Sequence, residues 1–347
     1  MKPVTAAAAL GLLLGWGGRA GAQFDIVIAP GPALAGNGLA LAAVNRAAAA
    51  WEARISDPIT ITIDADFAVL GGGALALGSS VNLQASYNTV RNQLVADAAN
   101  EADDAVVGFL PTAAQFSAIL PAGRSLSGNV LGTKANLKAM GFAGLDGVFG
   151  ASDGTVTFNS SMTFDFDSSD GVTAGTVDLQ TLAAHYIGQV LGFASAVDAV
   201  NGGATAVSPL VLDLFRFTDN VAGQDPATNA EFTFFPRNLT PGASVITDDL
   251  AHEYAMSTGT ANAGFPGTDG HEAGNWKADE LSGTTLGVMD PTLATGVAYG
   301  PSEADFRALD LIGYEVAPVP EPTVALLLFG GGGVLLRRRP LRTRDRG

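Results

Sequence analysis

No cysteine occurs in the 347 residues, which excludes disulfides, thiolate metal sites and a cysteine nucleophile. Histidine is almost as scarce: His185, His252 and His271 are the whole supply, so at most one imidazole-rich metal centre can be assembled. Basic residues are also few. Lys and Arg number 18 against 34 Asp and Glu, a net charge of −16, and that surface argues against nucleic acid or an anionic membrane as partner. The glycine runs Gly71–Gly73 and Gly330–Gly333 are not followed by Gly-Lys-Ser/Thr, so neither is a phosphate loop. No Gly-x-Ser-x-Gly elbow and no internal repeat is present.

What is present suffices for a large core: 47% of the residues are hydrophobic, which argues against global disorder. Both ends are set apart by composition. Lys2, the apolar run from Ala6 to Leu14 and the small-x-small stretch Ala20-Gly21-Ala22 predict a cleaved secretory signal over residues 1–22. At the other end, Pro320-Glu321-Pro322 precedes an apolar and glycine-rich run to Leu336, and Arg337, Arg338 and Arg339 follow at once. That run is marginal for spanning ~30 Å of hydrocarbon as a helix, and the arginines would stay on the cytoplasmic side. Eight of the 18 basic residues lie in these two ends, so an exported body would be more acidic still.

The order Pro-Glu-Pro, short apolar span, arginines over residues 317–347 resembles the PEP-CTERM sorting tail of Gram-negative bacteria. The resemblance implies recognition by an exosortase and an inner-membrane intermediate. The destination would be the cell surface or an extracellular matrix rich in polysaccharide, with the membrane touched only through this tail.

Between the ends, residues 23–316 read as one domain, with subdomains about 23–200 and 201–316 as the alternative. Phe24–Ile28 alternates like an opening strand. Leu39–Ile55 reads as an alanine-rich helix capped by Asn37 and ended by Ser56-Asp57-Pro58. "ITITID" over Ile59–Asp64 is a β-branched strand, Gly71–Gly73 a loop, and Asn88–Ala99 a helix. Thr155–Asp167 alternates as one or two strands, Val177–Phe193 is helical with Gly192 near its end, and Phe306–Leu311 is a short last helix. The stretch between the second helix and Thr155 carries little pattern, and the chain beyond residue 200 is loop-rich.

The chemistry centres on His185-Tyr186-Ile187-Gly188-Gln189, followed by Val190-Leu191-Gly192-Phe193. Two histidines four apart on a helix face one metal, and a glutamate beside the first takes a proton from the metal-bound water; that pattern is H-E-x-x-H. Here Ile187, Gly188, Leu191, Gly192 and Phe193 keep the framework of H-E-I-G-H-x-L-G-F. Downstream, "NWKADEL" from Asn275 to Leu281 is similar to a "His-Trp…Glu-Leu" segment, and "GVMDP" from Gly287 to Pro291 is similar to a Met-turn. Taken in order, these segments resemble the leishmanolysin-like, metzincin-type zinc metallopeptidases. The resemblance implies an α+β, zincin-like fold: a twisted sheet, an active-site-type helix and a loop-rich C-terminal subdomain. By the same mapping His185, Gln189 and Asn275 stand at the zinc-ligand positions, Tyr186 at the general-base position, and Met289 in the Met-turn.

Only His185 keeps the ligand chemistry. A phenol with a reference pKa of about 10 cannot act as the carboxylate base, and amides are poor zinc ligands beside imidazole. The sequence therefore predicts a catalytically silent binding or matrix protein with no resident metal. Its His185 would be hydrogen-bonded in the core beside Gln189, and the old cleft would still accept extended peptide. An active zinc metalloendopeptidase with substituted ligands is the alternative, drawing on His271, Glu272 or Asp198 beside His185. His252-Glu253 has Met256 where a partner histidine would stand and reads as a surface feature. Asp165, Asp167, Asp170 and Gly171 in "DFDSSDG" are the residues that suggest calcium, although their spacing is not that of an EF-hand and a solvated acidic turn is the simpler expectation.

Overall fold

The computed structural model describes residues 23–101 and 103–318. The expected signal at 1–22 and the expected sorting tail, apart from Ala317 and Pro318, lie outside the described residues. No helix among the described residues is long and apolar enough to cross a membrane.

The first half builds one mixed sheet. Strand β1 (Asp25–Pro30) leads through helix α1 (Gly38–Glu52) to β2 (Thr60–Ala68), and the two strands pair in parallel. Asn37 caps α1, its side chain accepting the Ala40 N–H at 3.1 Å, which satisfies one of the orphan donors of the first turn. Along β2 the expected alternation holds: Ile61, Ile63 and Ala65 are buried while Thr60 and Asp64 face outward. Strand β3 (Ala76–Ser80) follows, and β4 (Gly154–Asn159) inserts between β2 and β3, parallel to the first and antiparallel to the second. The order is therefore β1-β2-β4-β3, and β3 forms one edge.

Against this sheet packs helix α2 (Leu179–Leu191). It starts two residues later than its apolar periodicity predicts, because Val177 and Asp178 pair with Phe164 and Asp165 as a short parallel ladder. Asp178 then caps the helix, accepting from the Thr181 amide at 2.9 Å. Trp51 of α1 ties the two helices together by donating its indole N–H to the Ala184 carbonyl at 3.0 Å. Beyond residue 200 the chain is mostly turns, around a three-stranded antiparallel sheet of β5 (Arg216–Thr218), β6 (Val245–Asp248) and β7 (Glu253–Ala255). Helix α3 (Glu303–Leu311) closes the body with a capping box from Ser302 and Asp305.

The described residues up to Val316 form one compact unit. The larger apolar cluster runs from Phe24 to Tyr314 and crosses position 200 without a break, while a smaller one around Val197, Val200 and Leu239 supports the loops beyond it. Tyr314 closes the larger core by donating its hydroxyl to the Leu191 carbonyl at 2.7 Å.

Candidate functional site

The site forms where α2, the edge strand β3 and the turn Gly287–Pro291 converge. Helical spacing puts His185 and Gln189 one turn apart on the same face of α2, and Gly188 lies on its inner side. A Cβ at Gly188 would sit 2.3 Å from the Met289 sulfur, so only glycine lets the methionine lie directly against the helix. Met289 is fully buried there. Its turn is held in place by Asp305 of α3, whose carboxylate accepts from the Val288 amide at 2.8 Å, the Met289 amide at 3.3 Å and the Trp276 indole at 2.6 Å.

That turn orients the imidazole. His185 Nδ1 lies 2.9 Å from the Val288 carbonyl, and a carbonyl only accepts, so Nδ1 carries the proton and Nε2 presents a lone pair. This is the outer-sphere arrangement of a metal-binding histidine, but the lone pair is already engaged. Gln189 Nε2 lies 3.3 Å from His185 Nε2 and 2.8 Å from Glu272 Oε2. The Glu272 carboxylate fixes the amide's orientation, so the group facing the imidazole is an N–H donor. Desolvation lowers the His185 pKa below the ordinary imidazole value, against the opposing Val288 hydrogen bond and Asp290 charge. The ring is neutral at neutral pH.

Tyr186 turns to the sheet. Its hydroxyl donates to the Ala76 carbonyl at 2.7 Å, and its ring covers Gly78, where a Cβ would meet it at 2.5 Å. Burial, reinforced by the Glu272 charge, pushes the phenol up to about 12, so at neutral pH it holds its proton and cannot serve as a base.

The structure places His185 and Gln189 side by side above Met289, with Tyr186 next to them but turned to the sheet. Asn275 lies one step away, on the Glu272–Asn275 turn that is pressed against Ala194 just past α2. Its amide nitrogen in the backbone bonds the Glu272 carbonyl at 3.1 Å, while its buried side-chain oxygen has no partner. The residues present do not fit a zinc ion: one imidazole whose lone pair is taken, one amide turned donor-first, and no third imidazole. The substituted set fares no better. Asp198 accepts the Ala273 amide with both carboxylate oxygens at 3.1 and 3.0 Å, and the His271 backbone is fixed in an isolated bridge to Gly259. Among the described residues, no group of three His, Asp or Glu ligand atoms within 4.8 Å of one another includes His185.

A cavity of about 220 Å³ opens beside this cluster, lined by Leu75, Leu182, His185, Tyr186, Pro291 and Leu293 among others. It adjoins the free edge of β3. Leu75 O accepts from Asn159 N and Val81 N donates to Asp153 O, so in this antiparallel ladder the odd-numbered residues face β4. The backbone groups of Ala76, Gly78 and Ser80 consequently point to the open edge, with the Ala76 carbonyl taken by Tyr186.

The remaining candidates lie elsewhere. In "DFDSSDG", Asp165 accepts from the Asp167 and Thr173 amides at 2.8 and 2.7 Å and Asp167 from the Ser169 amide, hydrogen bonds that lower both carboxyls below the ordinary range. His252 is exposed, 3.1 Å from Asp249 and stacked on Tyr254.

Two residues central to the geometry carry no metallopeptidase signature. Glu272 was legible only as an alternative ligand, yet it acts as an acceptor for Gln189. Asp305 left one signal, the Ser302-x-x-Asp305 spacing of a capping box, which does not disclose its grip on the turn beneath His185. No protein-family model, curated protein or solved structure matches this chain.

Proposed function

We propose that this protein is an exported pseudoenzyme with a zincin-type, metzincin-like architecture that binds extended peptide or matrix at the cell surface and does not hydrolyse it. The observation that carries the reading is the Gln189 amide N–H placed on the metal-facing lone pair of His185 and anchored there by Glu272. A zinc-bound water needs open coordination and a base poised near neutral pH; here the first position is filled by a donor and the second by a phenol pushed to about 12. The zincin-type reading is supported by the antiparallel edge strand β3, the α2 helix beside it, and a methionine turn under the histidine.

Peptide binding is supported by the edge groups at Gly78 and Ser80 and the adjoining apolar cavity. Strand addition supplies main-chain hydrogen bonds without any metal. Export and sorting by an exosortase rest on the two terminal segments, and polysaccharide is a candidate matrix partner.

The test is elemental analysis of the purified protein beside a Tyr186→Glu, Gln189→His, Asn275→His variant. The wild type is expected to carry no stoichiometric zinc and to leave denatured protein substrates intact, while the triple variant gains zinc. Zinc bound at one equivalent by the wild type, with cleavage abolished by chelators, would refute the proposal. A folded triple variant that stays metal-free would refute the mapping of Asn275.

A further inference from the structure

Three carboxylates from separate pieces of chain meet well outside the α2 cluster in sequence. Asp248 ends β6 and Glu253 opens β7, and the two are register partners directly across the antiparallel ladder. Asp225 joins them from the loop after β5. One carboxylate oxygen from each lies within 4.8 Å of those of the other two. Like charges facing one another in a ladder repel, so the hairpin holds this arrangement at a cost unless something neutralises it.

Nothing among the described residues does so. Asp248 is 0% exposed. Its Oδ1 accepts the Leu250 amide at 2.6 Å, while Oδ2, shut off from solvent, has no hydrogen-bond partner. A buried carboxylate oxygen in that state is expensive. Arg237 is close enough to feel the Asp248 charge, yet it directs its guanidinium to the Leu214, Phe232 and Phe235 carbonyls. No ion pair joins it to Asp248 among the described residues. The other acidic group, Glu101, Asp104 and Asp310, differs in this respect, because Arg307 pairs with Asp104 and Asp310 from within.

We propose that Asp225, Asp248 and Glu253 form a calcium site that fastens the loop after β5 to the β6–β7 hairpin. The donors are all oxygens, which selects a hard cation over zinc or copper. Calcium, bonded at about 2.3–2.6 Å and tolerant of irregular geometry, suits oxygens spread this far apart; magnesium demands a tighter octahedron. Asp225 is already set for the role, because the Asn220 amide holds its Oδ2 at 2.8 Å. Three side chains completed by water give a weak site, in the range of about 10⁻⁴–10⁻³ M found in extracellular modules.

The experiment is thermal unfolding of the chelated, purified protein with calcium, magnesium or sodium chloride at matched ionic strength. About 5 mM calcium is expected to raise the midpoint by about 2–5 °C, with magnesium giving less than half of that and sodium nothing. Asp225→Asn and Glu253→Gln should each abolish the calcium shift. Neither should lower the calcium-free midpoint, since each removes repulsion. Asp165→Asn, in the unrelated acidic turn, should keep the full shift. No calcium shift at 10 mM, an equal shift with sodium, or a shift that survives Glu253→Gln would each overturn the site.

Discussion

Replacing Asp305 tests how the scaffold controls His185. Its carboxylate is 0% exposed and takes four N–H donors: the Trp276 indole at 2.6 Å, the Val288 and Met289 amides, and the Ser302 amide at 2.7 Å. In Asp305→Ala the Ser302 donor sits at a helix start and can turn to solvent, but the other three are left inside the core. Each stranded donor costs about 1–3 kcal/mol, relieved in part if water enters the space. The expected loss is about 3–5 kcal/mol. For a chain of this size that is roughly 2 °C per kcal/mol, or a drop of about 6–10 °C in the unfolding midpoint. Asp305→Asn should lose nearly as much, because its –NH₂ would face N–H groups. Urea unfolding measures the loss. Proton NMR of the His185 ring measures its consequence, since a loosened Val288 carbonyl should free the Nδ1 proton to exchange. A loss below about 1 kcal/mol in both variants, with the Nδ1 proton still protected, would refute the view that Asp305 holds the turn.

Stability should rise as pH falls from about 8 to 5. Burial, with neighbouring carboxylates, raises Asp57, Asp97 and Asp310 to about 7 and Glu101 to about 8. A carboxyl raised in the folded state contributes stability that is complete below its unfolded value and is lost as pH rises through the folded one. After discounting for the exposed members the gain is about 2–4 kcal/mol. It is read as a higher urea midpoint at pH 5 that Asp97→Asn with Glu101→Gln flattens, and an unchanged midpoint across that window would refute it. Gly274→Ala should damage folding more than Gly188→Ala: the first places its Cβ 2.6 Å from the Ala194 backbone, the second against the flexible Met289 side chain, which yields for about 1–3 kcal/mol. Equal losses in thermal melts would contradict that contrast. Tyr186→Phe should cost about 1 kcal/mol through the lost bond to Ala76, and it should tighten binding of extended peptides measured by fluorescence polarisation, because an edge carbonyl becomes free.

Elements with strong local signals were legible in the sequence. Asn37 announces α1 by capping chemistry, β2 by β-branched alternation, and α2 by its apolar stripe. The edge strand β3 was not, because "ALGSS" has no β-branched or aromatic residue and buries only Ala76. Its pairing with β4 is set by tertiary contact, which also explains why the strand Asn129–Thr133 hides in the unpatterned middle. At the site, spacing along one helix placed His185, Tyr186 and Gln189, but what each touches depends on segments far away in sequence. The Val288, Glu272 and Ala76 contacts span 103, 83 and 110 residues, and no local pattern encodes a partner at that range.

On the proposed pseudoenzyme reading, those partners also bear on how such a site would persist without metal. Stripping zinc ligands from a buried centre normally leaves polar groups facing one another unsatisfied. Here two of the three departures from the peptidase pattern carry their own remedy. Gln189 spans from the imidazole to Glu272, and Tyr186 reaches past the centre to the sheet edge. On that reading each would replace an interaction of the peptidase site with a direct hydrogen bond, leaving the helix, the methionine turn and the cleft in place. Asn275 is the exception, with a buried side-chain oxygen that nothing satisfies and an unmet cost of about 1–3 kcal/mol. The healed positions therefore lie on the helix that the core holds rigidly, and the unhealed one lies on the turn beside it. That distribution follows if the cleft's shape is what the protein uses, because α2 and β3 shape the cleft and the Asn275 side chain does not line it.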